Sequence, residues 1–282
     1  LESGTSHKMQ LVTGPANATD HRIKWTSSNK TAATVDENGT VTALRPIETV
    51  TITAVYKTNP ALTCSWNLKI TRTKGYITKQ MLDNLDLTAI KKVMITAHPD
   101  DETLWGGGHL IEGEYLVVCM THGWNPKRRT AFEQTMRTTN DKYLILDYPD
   151  VRKTFSNGKY ETDMLSTCKN AMQEDINLIL SYKKWDLIAT HNPFGEYGKY
   201  LHKTISQMVT QCYNKMTNKS ATLYYFGRYY NSSNKIPGEQ IAPELLAIKN
   251  SMVDRYYPTA KGAIVAFGHM IPYENWLLPS EW

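Results

Sequence analysis

The stretch Val93-Met94-Ile95-Thr96-Ala97-His98-Pro99-Asp100-Asp101-Glu102 decides the fold. Its first five residues are mainly apolar and β-prone, which suits a strand covered on both faces; Pro99 lacks a backbone N–H and stops simple continuation. One imidazole and three carboxylates therefore fall on the loop beyond the strand. In open parallel sheets the loops at the carboxyl ends of strands converge around a crevice where ligands bind. Acidic residues ahead of a helix also cap its free amides and suit its dipole, and capping alone accounts for the carboxylates. It leaves His98 unexplained. A turn that brings His98 and Asp101 together aims both side chains at one point while Asp100 faces elsewhere, the arrangement of two metal ligands and a spare base. Metal binding and capping both stay open from this stretch alone.

Working outward, apolar strands alternate with helical patterns on either side. Strands are expected at 93–97, 115–120, 143–146, 186–189 and 223–226, and helices at 104–111, 128–142, 162–182, 199–216 and 243–256. This alternation predicts an α/β domain built on a doubly wound, mainly parallel sheet. The helix over 162–182 carries Met164, Leu165, Cys168, Met172, Ile176 and Ile179 on one face, which should pack on the sheet as core. Gly106-Gly107-Gly108 invites a nucleotide reading, but a dinucleotide fold needs its glycines in the turn directly after the strand, where His98-Pro99-Asp100-Asp101 stands. Close packing of helix against loop is the expected role of these glycines. A G-x-S-x-G nucleophile elbow is absent, so serine hydrolysis has no local support.

At 282 residues the chain exceeds the usual single-domain size, and 41% hydrophobic residues can supply substantial cores. The net charge of +5 comes from 32 basic and 27 acidic residues interspersed along the chain, so no nucleic-acid partner is indicated. No apolar run reaches membrane-spanning length, and the start at Leu1, without an initiator Met or a signal-type segment, reads as a trimmed or mature fragment. Cys64, Cys119, Cys168 and Cys212 are widely spaced in mainly apolar surroundings and are expected to be buried free thiols.

Residues 1–72 have a different texture from 73–282. Ile23 and Trp25, then Val35, Val41 and Ala43, then Val50, Ile52, Ala54 and Tyr56 recur at period two between turn-rich clusters such as Asp36-Glu37-Asn38-Gly39, predicting a small β-sandwich. The runs Ile23-Lys24-Trp25-Thr26-Ser27-Ser28-Asn29 and Ala33-Thr34-Val35-Asp36-Glu37-Asn38-Gly39-Thr40-Val41-Thr42-Ala43 resemble the group-2 bacterial immunoglobulin-like domain. The first strand of such domains is expected to be short or absent here. The resemblance implies a spacer or adhesion module on the exterior or surface of a bacterial cell, able to contact cell-surface glycan, and implies no chemistry. Asn17, Asn29, Asn38, Asn218 and Asn231 begin N-x-[ST] sequons, read in a bacterial context as ordinary polar loops.

A second loop completes the picture. Asp186-Leu187-Ile188-Ala189-Thr190 ends in His191-Asn192-Pro193-Phe194-Gly195-Glu196-Tyr197-Gly198, and His202 follows at the edge of the apolar face of the next helix, Leu201, Ile205, Met208, Val209 and Cys212. Alone, His202 reads as a satisfied core-edge histidine. Parallel topology, however, brings both strand ends to one sheet edge, where His98, Asp101 and His202 could supply three ligands and leave an open position for water, the constitution of a catalytic zinc site. Ala97-His98-Pro99-Asp100-Asp101-Glu102 with Leu104-Trp105-Gly106-Gly107-Gly108, together with 190–198, resembles the PIG-L-like (LmbE-like) metal-dependent N-deacetylases over residues 90–260, which implies a Rossmann-like fold. The resemblance implies that His98, Asp101 and His202 bind zinc or another divalent ion, that Asp100 is the general base, and that the reaction removes acetyl from an N-acetylated amino sugar or related amide. It departs from the family at Lys199, where a histidine is usual three residues before the last ligand; an ammonium there could stabilise an oxyanion, and Tyr197 could share the task. Trp124 is a candidate to stack on a sugar or to anchor its own loop, Arg129 resembles a family arginine one residue out of register, and His191 is a candidate substrate or supporting group. The alternative is a carbohydrate-binding protein with an impaired deacetylase domain. The aromatic tail 267–276 covers the cleft or packs under the sheet, and no role is assigned to its residues.

Overall fold

The computed structural model describes residues 1–14, 20, 22–153, 160–217 and 219–282, so the sequons at Asn17 and Asn218 lie outside the described residues. The chain divides into two compact units, Leu1–Lys74 with Glu161–Ala171, and Gly75–Tyr160 with Met172–Trp282.

The first unit contains β1 (Ser6–Lys8), β2 (Ile23–Ser27), β3 (Ala33–Val35), β4 (Thr40–Ala43), β5 (Ile47–Tyr56) and β6 (Thr63–Ile70). They form two antiparallel sheets, β1-β4-β3 and β2-β5-β6, so the first strand is present but short. Alternation works as expected: Val41, Ala43, Val50, Ile52 and Ile70 point inward and are buried, with the Trp25 and Trp66 rings stacked beside them at 5.7 Å. Gly39 is required twice over, by its φ of 79° and because a Cβ there would lie 2.5 Å from the Trp25 ring. Cys64 departs from expectation: it is exposed, because it lies near the start of edge strand β6, while Cys119, Cys168 and Cys212 are buried free thiols.

The second unit continues with α1 (Lys79–Asn84), β7 (Lys92–Thr96), α2 (Asp101–Ile111), β8 (Tyr115–Thr121), α3 (Pro126–Thr139), β9 (Lys142–Tyr148) and the short pair β10 (Arg152–Lys153) and β11 (Tyr160–Glu161). There follow α4 (Asp163–Tyr182), which runs through both units, then β12 (Leu187–Thr190), α5 (Gly195–Gly198), α6 (Tyr200–Lys215), β13 (Thr222–Tyr225) and α7 (Pro243–Phe267). The sheet is parallel throughout, in the order β13-β12-β7-β8-β9. The chain winds from β7 through β8 to β9 in one direction, then returns to the other side of β7 for β12 and β13. The switch point, where successive crossovers diverge and leave a crevice, therefore lies between β7 and β12. β8 is buried along its whole length, as its unbroken apolar run requires. The predicted α4 stripe is buried except for half-buried Met164.

Helix α7 runs beyond its expected end at residue 256. Pro258 interrupts it and Ala260 takes a non-helical φ of −130°, yet the stripe Met252, Tyr256, Ala260, Ile264 resumes on the same buried face, so core packing outweighs the lost hydrogen bond. The glycine run of α2 is indeed a close-packing device. A Cβ on Gly106 would lie 2.7 Å from Met94 Cε, one on Gly107 2.9 Å from Lys249 Cγ, and one on Gly108 3.1 Å from Glu274 Oε2. The tail therefore packs on α2, where Trp276 stacks on His109 at 3.7 Å and its indole N–H donates to the Trp105 carbonyl at 2.8 Å.

Candidate metal centre at the switch point

β7 and β12 are neighbours paired in register from Leu187 with Lys92 to Thr190 with Ile95, so their carboxyl ends lie side by side. The loop after β7 carries His98 and Asp101; the segment after β12 leads into α6, which buries His202 in its first turn. Three atoms meet there: His98 Nδ1 lies 3.1 Å from His202 Nε2 and 3.2 Å from Asp101 Oδ2, and the last two are 3.3 Å apart. A tetrahedral ion with ligands at 2.0–2.1 Å has edges of about 3.3–3.4 Å, so the triangle already has the size of a zinc face.

The hydrogen bonds behind the triangle fix what its atoms are. His98 Nε2 lies 2.9 Å from Asp150 Oδ1, and His202 Nδ1 contacts Glu196 Oε2. If each carboxylate accepts the imidazole N–H facing it, His98 Nδ1 and His202 Nε2 present lone pairs to each other and to Asp101. Three acceptors in mutual contact require a positive charge among them, a proton or a metal ion. Burial works against a charged His98, but Asp150 and Asp101 outweigh it and raise its pKa to about 10, while Asp101 is held well below the carboxylate range against its own burial by His202 and His191. Capping does not account for Asp100, although Asp101 and Glu102 stand in the first turn of α2 and Glu102 Oε2 accepts the Asp100 N–H at 3.0 Å. Asp100 occupies the position before α2 but its side chain makes no capping hydrogen bond, and its φ of 142° is one that a side chain rarely adopts.

Asp100 lies beside the triangle in a cleft of about 110 Å³ lined also by His98, Asp101, His122, Arg128, Asp150, Tyr197 and Lys199. Burial and the neighbouring Asp101 raise its carboxyl to about 8, opposed by Arg128, whose Nη1 is 3.9 Å from Oδ1. Tyr197, 38% exposed, is pushed above the usual phenol range by partial desolvation and by the surrounding carboxylates, so it stays protonated. A larger depression of about 500 Å³ in the first unit is lined by small and apolar side chains such as Ile23, Ala54 and Ala61 and holds no comparable cluster.

The expected residues thus fall into two groups. His98, Asp100, Asp101, Tyr197 and Lys199 line the cleft, with His202 fully buried behind His98 and Asp101. His191 has no exposed surface; it stacks on His202 at 3.8 Å, accepts the Ala97 N–H at Nε2 and contacts Glu196 at Nδ1, so it supports the cluster from behind. Trp124 is half-buried and stacks on His122 at 6.2 Å, outside the lining. Arg129 donates to the Gly123 carbonyl at 2.6 Å and faces away, and it is Arg128 that reaches the cleft, joining the Pro99 and Thr259 carbonyls. Asp150 and Glu196 are site residues that sequence reasoning missed. A signal for Asp150 existed: Tyr148-Pro149-Asp150 closes β9, two strands from β7 in the same sheet, with the same proline and acid as Ala97-His98-Pro99-Asp100.

Residues 1–65 match the model of the bacterial Ig-like domain (group 2), a domain typical of extracellular bacterial proteins. No described helix is long and apolar enough to cross a membrane. An uncharacterized protein of Clostridium acetobutylicum is 33% identical over 97 residues, covering 34% of this chain and 10% of that much longer protein. Among solved structures, a conserved protein from Thermus thermophilus aligns over 68% of this chain and 96% of its own at 13% identity, with a TM-score of 0.46. An uncharacterized protein of Acanthamoeba polyphaga mimivirus is 31% identical over 175 residues, which span 56% of this chain and 67% of the relative. The chain carries a group-2 bacterial immunoglobulin-like domain followed by an α/β domain, and it belongs to the same family as the mimivirus protein.

Proposed function

We propose that the second unit is a zinc-dependent hydrolase that removes acetyl from N-acetylated amino sugars. The observation that carries the metal reading is the triangle of His98, Asp101 and His202, whose ligand atoms converge at 3.1–3.3 Å while the far imidazole nitrogens of both histidines face carboxylates. The resemblance of 97–108 and 190–198 to PIG-L-like deacetylases supports the choice of reaction. A divalent ion held there supplies Lewis acidity, lowering the pKa of a water and polarising an amide carbonyl. Asp100, raised to about 8, sits near the range in which a carboxylate can accept a proton from the attacking water and return it to the leaving amine. Tyr197, still protonated, donates a hydrogen bond to the oxyanion, and the Lys199 ammonium adds positive charge from the same wall. Arg128 steadies the Asp100 turn by donating to the Pro99 carbonyl at 3.3 Å. The immunoglobulin-like domain supports an exported or surface-bound protein acting on glycans or glycoconjugates.

The second reading, a glycan-binding protein without turnover, is favoured by Lys199 in the usual histidine position. One preparation separates the two. Zinc-loaded protein is incubated with N-acetylated glycans and glycolipid head groups while acetate release and glycan binding are followed. The hydrolase reading predicts release that Asp100→Asn abolishes; binding without release, unchanged by Asp100→Asn, favours the second. Lys199→His then reports whether the ammonium is an adapted donor, by losing rate, or an impairment, by gaining it.

A further inference from the structure

Glu196 stands out because its backbone is in a region that side chains avoid. Its φ of 53° and ψ of −77° lie near the rare γ-turn with positive φ, which glycine would occupy without strain. A turn built by Asn192 imposes this: Asn192 Oδ1 accepts the Phe194 and Glu196 N–H groups, both at 3.0 Å, while Nδ2 donates to the carbonyls of Phe226 and Gly227 at 3.2 and 3.0 Å. What the strain achieves is the delivery of a fully buried carboxylate, without Lys or Arg, between two imidazoles. Oε2 faces Nδ1 of both His191 and His202, and Oε1 accepts the Asn192 N–H at 3.0 Å.

We propose that Glu196 is the positioning residue for both halves of the metal centre, an inference that rests on the metal reading above. Its hold on His202 is direct: accepting Nδ1–H leaves the Nε2 lone pair pointing at Asp101 and His98. Its hold on the first loop runs through His191. With Nδ1–H given to Glu196, His191 keeps a lone pair at Nε2, and that lone pair accepts the Ala97 N–H at 2.9 Å, one residue before His98. One carboxylate therefore sets two tautomers and ties the end of β7 to the segment after β12. A second metal at His191, Glu196 and His202 is the weaker reading, because Glu196 Oε2 approaches His202 Nδ1 to 2.5 Å, well short of the about 3.3 Å that separates two ligands of one zinc ion.

Glutamine cannot replace this group. With its oxygen toward the imidazoles, its NH2 opposes the Asn192 N–H; reversed, the NH2 forces both rings into the other tautomer and turns the wrong nitrogen of His202 toward the site. The probe is zinc alone, measured by chelator competition on the full chain, with long-range proton–nitrogen NMR of the imidazoles in the metal-free and zinc-loaded protein. Wild type should bind one zinc, lost in Asp101→Asn, and show His202 protonated at Nδ1. Glu196→Gln should weaken zinc binding by about 10–100-fold and mix the His202 tautomers. Glu196→Gly, which removes the backbone strain and so protects folding, should weaken zinc to a similar extent. Zinc affinity within about threefold of wild type in both folded variants, with Nδ1–H of His202 retained, overturns the proposal while leaving the metal reading intact. If wild type binds no zinc the metal reading fails, and the tautomer spectra still decide the role of Glu196: a mixture in Glu196→Gln supports it, an unchanged Nδ1–H overturns it.

Discussion

Replacing Glu274 by leucine should be among the most destabilising single changes available in the second unit. The Glu274 side chain is 1% exposed, and its carboxylate accepts the Lys249 ammonium at 2.6 Å, the Gly108 and His109 N–H groups at 2.6 and 3.1 Å, and a hydrogen bond from His109 Nδ1 at 2.6 Å. Lys249 itself has no exposed surface and lays its stem on Gly107, so it cannot move to water without disrupting α2. Removing one partner of a buried pair costs about 3–5 kcal/mol, because the other charge stays buried and uncompensated. At about 2–4 °C per kcal/mol for a unit of this size, the melting temperature should fall by roughly 6–20 °C. The sign with pH is fixed as well. Burial opposes ionisation of Glu274, but Lys249 and His109 outweigh it and lower the folded pKa to about 2, below the ordinary 4.5. Its stabilisation is therefore present above pH 4.5 and is lost as pH falls toward 2, so wild type and Glu274→Leu should converge in acid. Urea denaturation and thermal melts from pH 3 to 7 provide the measurement, and Lys249→Met added to Glu274→Leu should recover part of the loss. A melting temperature for Glu274→Leu within about 2 °C of wild type at pH 7 would refute the reasoning.

Three further outcomes are expected. Zinc must displace the proton that Asp150 and Asp101 hold on His98, whose pKa of about 10 lies above the working range, so apparent zinc affinity should rise about tenfold per pH unit from pH 7 to 9, with proton release seen by calorimetry in buffers of different ionisation enthalpy; a flat profile contradicts it. Tyr256→Phe removes the hydroxyl that donates to Glu102 Oε1 at 2.6 Å, and Glu102 in turn holds the Asp100 N–H at 3.0 Å, so stability should drop by about 1–3 kcal/mol and amide exchange at Asp100 should accelerate; unchanged exchange breaks the chain of reasoning. Lys199→Ala should lower kcat for deacetylation by about 10²-fold with zinc content unchanged, and a variant as fast as wild type removes Lys199 from the oxyanion site.

How much of this was readable beforehand depended on whether a residue's role is local. Strand β8 and the stretch before His98 are buried on both faces, so their apolar runs reported them within a residue or two. The glycine run could be assigned to close packing because glycine leaves a gap that something must fill, but Glu274, 166 positions away, could not be read as the filler of Gly108. The helix expected to end at residue 256 runs on to Phe267 because a buried stripe continues beyond Pro258. Arg128 and Arg129 are adjacent on α3 and differ only in direction; which one enters the cleft is set by how α3 starts, at a cap in which Asn125 Oδ1 accepts two N–H groups. Positive φ at Glu196 left no trace in composition, since nothing marks a glutamate as occupying glycine's conformation.

The two imidazoles of the triangle are held in opposite senses, and this says most about what the site is for. His98 faces Asp150 with Nε2 and offers Nδ1; His202 faces Glu196 with Nδ1 and offers Nε2. A loop that served only to start α2 would need neither orientation, and a buried histidine kept for packing would be satisfied by a single backbone acceptor. Here two carboxylates, one after β9 and one after β12, spend their hydrogen-bonding capacity on aiming lone pairs at a common point beside Asp101. Glu196 has no exposed side-chain surface, whereas Asp150 is partly exposed with His122 and Lys199 nearby, and a positive charge where the lone pairs converge offsets the cost of burying Glu196 and Asp101. The arrangement is therefore suited to a positive charge at that point, a proton or a metal ion, which is why metal affinity, measured before any substrate is known, is the property on which the functional reading stands or falls.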